Sequence, residues 1–187
     1  MYEGAWESDK ANGVGTYTHA DGAKYSGSWL NDTQHGQGKE TWADGSHFEG
    51  EYVHGKKEGK GTYHWNDGSN FTGQWTDNKI NGFGEYNWPD GRKYVGTWIE
   101  NNMHGRGVYT WQDGRRYEGD YENDKKHGMG VYTWSDGRQY SGQWSQGKQH
   151  GQGVYRHADG HLRTGIWVEG KRTMWVDEDE GGLKSCV

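Results

Sequence analysis

Along this chain aromatic residues and glycines alternate with polar residues in steps of two. Tyr94, Gly96 and Trp98 alternate with Val95 and Thr97, and Gly105, Gly107, Tyr109 and Trp111 alternate with Arg106, Val108 and Thr110. A period of two belongs to β-strands, whose successive side chains point to opposite faces. Asp113-Gly114, between Trp111 and Tyr117, is a hairpin signal, because glycine supplies the positive φ such turns need. Variable polar runs such as Glu100-Asn101-Asn102 join the two strands of one unit. The pattern predicts one β-hairpin per unit and a continuous antiparallel meander.

The units repeat. Tyr2, Tyr25, Phe48, Phe71, Tyr94, Tyr117 and Tyr140 follow one another at intervals of 23 residues, each with a glycine two residues on. Two residues further stand the second rings, Trp6, Trp29, Tyr52, Trp75, Trp98, Tyr121 and Trp144, and Trp167 continues the series. A Gly-x-Gly follows, then a third ring, a fourth ring and Asp-Gly. On the ring-bearing face a missing Cβ leaves room for an aromatic ring from a neighbouring strand to lie flat on the backbone, which offsets the weakness of glycine in a strand. The opposite face is polar, as in Glu49, Glu51, Lys60 and Thr62. One aromatic and one wet face, with no second layer to cover either, predict an all-β, elongated, single-layer twisted sheet of tandem hairpins. At ~4.8 Å per strand it spans roughly 70 Å, and its twist curls it into a trough.

Composition removes the alternatives. Leu, Ile, Val and Phe make up only about a tenth of the 187 residues, a level that usually signals disorder, yet 12 Trp and 13 Tyr are present. Aromatic rings must therefore supply most of the burial. The net charge of −6 argues against a nucleic-acid partner and against purely electrostatic attachment to an anionic membrane. The single cysteine, Cys186, excludes an internal disulfide and a Cys-rich zinc site. No stretch is apolar enough to span a membrane and the first residues do not read as a signal peptide, so a cytoplasmic protein is expected.

The unit Tyr94-Val95-Gly96-Thr97-Trp98, closed by His104-Gly105-Arg106-Gly107-Val108-Tyr109-Thr110-Trp111-Gln112-Asp113-Gly114, resembles a MORN repeat (membrane occupation and recognition nexus). The resemblance runs in register through residues 2–162 as seven units. Residues 163–176 read as a degenerate eighth unit and C-terminal cap: Arg163 stands in the first-ring slot, and Met174 and Val176 in the Gly-x-Gly positions. Residues 177–187 read as an acidic flexible tail. Glu40 replaces a third ring, and His19 and His157 replace fourth rings, thinning the aromatic face there. The resemblance implies the elongated hairpin sheet, and a family spread over axonemal and radial-spoke proteins, cytoskeletal scaffolds, junctional membrane proteins and modules beside lipid kinases. It also implies that some arrays dimerise through terminal repeats, and the first strand, without a cap, is an edge that could pair with another chain.

No catalytic chemistry is expected. His35, His104, His127 and His150 share one repeat position, but units ~10 Å apart cannot converge on one metal. The Asp-Gly aspartates are turn residues. No nucleophile, phosphate-loop or kinase signature occurs, so no catalytic, metal or cofactor site is assigned. What remains is a surface. Trp65, Trp88, Tyr109, Trp111 and Trp134 are the groove candidates for contact with a partner. The expected function is a non-enzymatic protein-interaction scaffold of a cytoskeletal or ciliary assembly, with a protein partner in the aromatic trough or at the array ends. The alternative is a membrane- or phosphoinositide-associated adaptor, against which stand the acidic balance and the absence of a basic cluster. An extracellular sugar- or choline-binding module is a third and weaker reading.

Overall fold

The computed structural model describes residues 1–176, and the tail expected over 177–187 lies outside the described residues. Sixteen strands follow in order. The first eight are β1 (Tyr2–Glu7), β2 (Lys10–Thr18), β3 (Lys24–Leu30), β4 (Thr33–Thr41), β5 (His47–Val53), β6 (Lys56–His64), β7 (Asn70–Thr76) and β8 (Lys79–Asn87). The rest are β9 (Lys93–Ile99), β10 (Asn102–Thr110), β11 (Arg116–Glu122), β12 (Lys125–Thr133), β13 (Gln139–Ser145), β14 (Lys148–Arg156), β15 (Leu162–Val168) and β16 (Lys171–Val176). All pair antiparallel with their chain neighbours in one open sheet. The meander expected from the period-two pattern is what the protein forms.

Two kinds of turn alternate along the ribbon. At one edge, two-residue turns such as Glu100-Asn101 hold both residues at positive φ (50° and 69°), as a type I′ hairpin requires. The second residue of several of these turns also docks onto the preceding repeat. The Asn101 Oδ1 accepts the Ile80 N–H at 2.9 Å while the Asn101 N–H donates to the Ile80 carbonyl at 3.0 Å. Asp32, Asn78 and Asp124 do the same for Ala11, Lys57 and Met103. At the other edge lie the Asp-Gly turns. There the Asp113 Oδ1 accepts the Arg115 N–H at 3.1 Å, and the Gly114 N–H donates to the Trp111 carbonyl at 3.1 Å.

The glycines divide into two mechanical classes that the sequence pattern merged. The second glycine of each Gly-x-Gly is a seat for a ring. Gly96 pairs with Gly107 across β9 and β10, and the ring of Tyr94 lies over both, so that a Cβ on either would overlap it. The ring arises from the same strand as the first of these glycines and crosses to its partner. Tyr94 is fully buried, and its hydroxyl donates to the Thr97 carbonyl at 3.1 Å. The first glycine of each Gly-x-Gly has a different task. Gly105 has φ +62°, and the register between β9 and β10 slips there, so that the nine-residue second strand bulges against the seven-residue first. Where the residue after the bulge glycine would leave an amide free, a side chain from the preceding strand accepts it: Gln74 from Phe83 at 2.7 Å, and Asp120 from Met129 at 2.9 Å.

Repeats are stapled by the second rings. Trp98, Trp144 and Trp75 are nearly buried, and their Nε1–H groups donate to the carbonyls of Gly84 (3.4 Å), Gly130 (3.1 Å) and Gly61 (3.1 Å) in the preceding repeat. From Trp29 to Trp144 each second ring also meets the first rings on both sides edge-on, Trp98 against Tyr94 at 5.1 Å and Phe71 at 5.6 Å. These two rows form a continuous spine.

The closing hairpin departs from the expected register. By the 23-residue period Met174 and Val176 occupy the Gly-x-Gly slots, but β16 pairs Gly165 with Trp175 and slips between Ile166 and Trp167. Trp175 therefore comes to the place opposite glycine, where Trp167 packs on it at 6.0 Å and the guanidinium groups of Arg163 and Arg172 cover it at 4.2 and 4.0 Å. Arg163 in the first-ring slot thus covers a tryptophan that the period did not place on this face.

Candidate functional site

Beside the spine runs a second ring system, built from the third and fourth rings. Trp42, Tyr63, Trp65, Tyr86, Trp88, Tyr109, Trp111, Tyr132, Trp134 and Tyr155 contact one another in that order, at centroid distances from 4.4 to 5.8 Å. This ladder crosses six repeats near the Asp-Gly edge. All five predicted groove residues belong to it, and the fold brings them into one row. Trp65, Trp88, Trp111 and Trp134 are half-buried, whereas Tyr109 is 8% exposed and wedged between Trp88 and Trp111. The tryptophans present the ladder's surface and Tyr109 supports it from below.

The residue after each Asp-Gly decides what roofs the ladder. In the later repeats it is arginine. Arg92, Arg115 and Arg138 lie over Trp88, Trp111 and Trp134 at 5.3–5.7 Å, and each Nε donates at 2.7 Å to the aspartate of its own turn, Asp90, Asp113 and Asp136. Arg92 and Arg138 reach on to the hydroxyls of Tyr109 and Tyr155 at 3.3 and 3.2 Å. The guanidinium beside Asp113 holds that carboxyl below the usual carboxylate range, chiefly through the hydrogen bond. In the earlier repeats the same position is serine. Ser46 and Ser69 are buried, bond Asp44 and Asp67 at 2.6 Å, and are too short to cover Trp42 and Trp65 as the arginines cover their tryptophans.

A third feature was not visible in the sequence. The second residue of each even-numbered strand points into the rings, and in two repeats it is lysine. The Lys126 ammonium stands 4.5–5.2 Å from the ring centroids of Trp111, Tyr117, Tyr132 and Trp144. Burial pushes this amine down to about 8, and the charge of Arg115 adds to the effect. The four ring faces act the other way and favour the cation. Lys57 sits in the equivalent place, over Trp42, Phe48 and Tyr52 at 4.9–6.0 Å. It pairs with Glu40 at 3.5 Å, and the Tyr52 hydroxyl donates to Glu40 Oε2 at 3.0 Å. Glu40, which by pattern only removes a ring, is thus the carboxylate of a half-buried charged cluster. Burial and the Glu40 charge together raise the Tyr52 phenol far above its ordinary range. The signal for these cages was a lysine in register with Ile80 and Met103, a position facing the core.

The histidine row does not converge. Among the described residues no cluster of His, Cys, Asp and Glu stands close enough to hold a metal ion. His127 Nδ1 lies 3.4 Å from Glu122 Oε2 without hydrogen-bond geometry. The polar face also hollows, into a groove of about 770 Å³ walled in part by Glu49, Glu51, Lys60, Gln74 and Phe83. Among the described residues no helix is long and apolar enough to cross a membrane.

One layer of tandem hairpins with an uninterrupted row of rings beside its spine defines a repeat-sheet module. The chain belongs to the MORN-repeat family, whose model matches residues 2–24, 25–47, 48–70, 71–91, 94–115, 117–137 and 140–162. No curated protein matches it. Among solved structures the chain is similar to the TCP domain of Drosophila melanogaster SAS-4 (dCPAP) in complex with a proline-rich motif of Ana2 (dSTIL), at 11% identity and TM-score 0.51, covering 82% of this chain and 84% of that one. It is also similar to the TCP10 domain of Danio rerio CPAP, at 15% identity and TM-score 0.35, covering 89% and 85%. At 11% identity the likeness to the SAS-4 domain is one of fold.

Proposed function

We propose that this protein is a non-catalytic scaffold that holds an extended segment of a partner protein along the Trp/Tyr ladder. The observation that carries this reading is the ladder itself. The spine already buries most of its rings and bonds repeat to repeat, whereas the ladder leaves four tryptophans partly exposed in one row, three of them under hydrogen-bonding arginines. Rigid aromatic surfaces flanked by polar donors are the composition of binding hot spots and of the grooves that receive extended, proline-containing peptides. The SAS-4 domain, similar in fold, is in complex with a proline-rich motif, which supports the same mode of use here. A cytoskeletal assembly, with the cilium as one setting, is the context this reading assigns. Homodimerisation through terminal repeats stays a separate proposal, tested by the oligomeric state in solution.

The phosphoinositide alternative gains little from the site. Arg92, Arg115 and Arg138 are spaced along one edge, but each is already bonded to a carboxylate of its own turn. The decisive experiment compares wild type with the Trp88→Ala/Trp111→Ala double variant in affinity capture from native extract. Cytoskeletal partners lost with the variant, while its circular dichroism stays that of the folded sheet, are the expected result. Retention of every partner by a folded variant removes the ladder from the function. Capture of lipid kinases or membrane proteins in place of cytoskeletal ones favours the adaptor.

A further inference from the structure

We infer that the first repeat carries an empty cation cage that receives a lysine side chain from a partner protein. The slot that holds Lys57 and Lys126 is filled in other repeats by Gln34, Ile80, Met103 or Gln149, so that from the second to the seventh repeat the slot carries a long side chain. In the first repeat that residue is Ala11. Three of the four ring walls remain: Tyr2, Tyr17 and Trp29 are the counterparts, at the 23-residue period, of the Tyr117, Tyr132 and Trp144 that with Trp111 surround Lys126. With the long side chain missing, a cavity of about 500 Å³ opens among Tyr2, Trp6, Ala11, Tyr17, Trp29 and Asp32.

Three observations select the occupant. The chain itself shows, twice, that this ring geometry seats a primary ammonium. Asp32, on the cavity wall, supplies a carboxylate, as Glu40 does for Lys57. Tyr2 meets Trp6 and Trp29 edge-on at 4.9 and 5.2 Å, which leaves ring faces for a cation, and Trp6 is 59% exposed at the cavity mouth. Ring faces beside a carboxylate attract an alkylammonium and give an apolar chain of the same length no charge-based advantage. The cavity lies in the first hairpins, separate from the ladder, so this inference stands whether or not the ladder binds a peptide.

The test is a titration of the full chain with Gly-Ser-Lys-Ser-Gly peptide, the same peptide carrying norleucine in place of lysine, and choline chloride. Tryptophan indole resonances and fluorescence are the readouts. The lysine peptide should shift the Trp6 and Trp29 signals at millimolar concentration, and the norleucine peptide should not. Ala11→Lys, which recreates the arrangement of Lys126 and should fold as that repeat does, is expected to weaken the lysine peptide by about tenfold or more. Asp32→Asn tests the carboxylate while keeping an acceptor for the Ala11 amide, as Asn78 does for Lys57. Equal shifts from norleucine, no shift from lysine, or undiminished binding by a folded Ala11→Lys variant would each overturn the inference. Tighter binding of choline than of lysine would assign the cage to a small quaternary amine instead.

Discussion

The spine and the ladder are made from the same residue types, the spine rings on the odd-numbered strands and the ladder rings on or just after the even-numbered ones, yet one is closed and the other open. In the spine, the first rings from Tyr25 to Tyr140 have no exposed surface, because glycine pairs let each ring lie directly on two backbones. In the ladder the neighbours across the strands are other rings, most of them tilted against one another, and each tryptophan keeps part of its surface exposed. The difference teaches that aromatic content alone does not mark a binding surface in a single-layer sheet. What closes the first rings completely is a glycine pair to lie on, which the ladder rings lack.

The sharpest break in that comparison comes from substitutions that reverse the two roles. Gly107→Val places a side chain where the Tyr94 ring lies, and Tyr94→Ala empties the same seat. Each should cost about 3–5 kcal/mol, the range for losing a buried aromatic. Trp88→Ala in the ladder should cost only about 1–2 kcal/mol, since part of its area is already in water. Urea denaturation of the three variants measures the contrast, and equal losses at both rows would mean that the ladder is structural. Because repeats contact only their neighbours, the Gly107→Val and Tyr94→Ala variants should show a broadened or split transition as the array breaks in the middle.

A smaller effect separates the staple from the ring that carries it. Trp144→Phe keeps a large ring in the spine and removes the Nε1–H bond to the Gly130 carbonyl. A loss of about 1–3 kcal/mol is expected, because that buried acceptor is left unpaired. Thermal unfolding reads the loss. A change near zero would place the inter-repeat energy in the ring contacts alone.

Smaller again is the dock at the type I′ edge. Asn101→Gly keeps the positive φ, which glycine supplies naturally at Gly55 and Gly147, and deletes only the side-chain bond to the Ile80 amide. About 0.5–1.5 kcal/mol should be lost in the same denaturation assay. A stabilised variant would show that the bond contributes less than glycine's freedom from left-handed strain.

Most of the fold could be read from the chain because one unit, written seven times, repeats every error-revealing position. The alternation of Tyr94, Gly96 and Trp98 set the strands and the single layer, and Asp113-Gly114 set one of the two turns. The bulge was hidden because Gly105 and Gly107 have the same parity: a slip of two residues preserves every face, so the period-two pattern reads the same with or without it. The register of Trp175 was hidden for the opposite reason, since β16 has neither glycine of the pair and nothing local fixes its phase. Of the site, the ladder residues were legible as ring slots, but their split into exposed tryptophans and the more buried Tyr109 depends on stacking across strands. The lysine cages depend on Lys57 meeting Trp42 of the preceding unit, and on Lys126 meeting Trp111 and Trp144 of the two flanking units, contacts that the linear pattern does not display.

The finest distinction lies between a cage filled by a cation and one filled by a neutral side chain, and it is a matter of pH. Lys126 has its ordinary value of 10.5 in the unfolded chain and is pushed down to about 8 in the folded one. Between those values the unfolded state holds more protons than the folded state, so folding stability rises with pH across the window from about 8 to 10.5. Lys126→Gln, a residue the slot accepts at Gln34 and Gln149, removes that rise. Tyr25 and Tyr140, both raised to about 12, hold their protons longer in the folded state and reduce stability as pH climbs above 10, but they do so equally in both proteins. Subtracting the two stability curves therefore isolates the lysine. The difference should climb in favour of wild type through the window. A flat difference would mean that the four ring faces fully offset burial and hold the ammonium at its ordinary value, which would make Lys126 a more faithful copy of a bound ligand cation than its pKa implies.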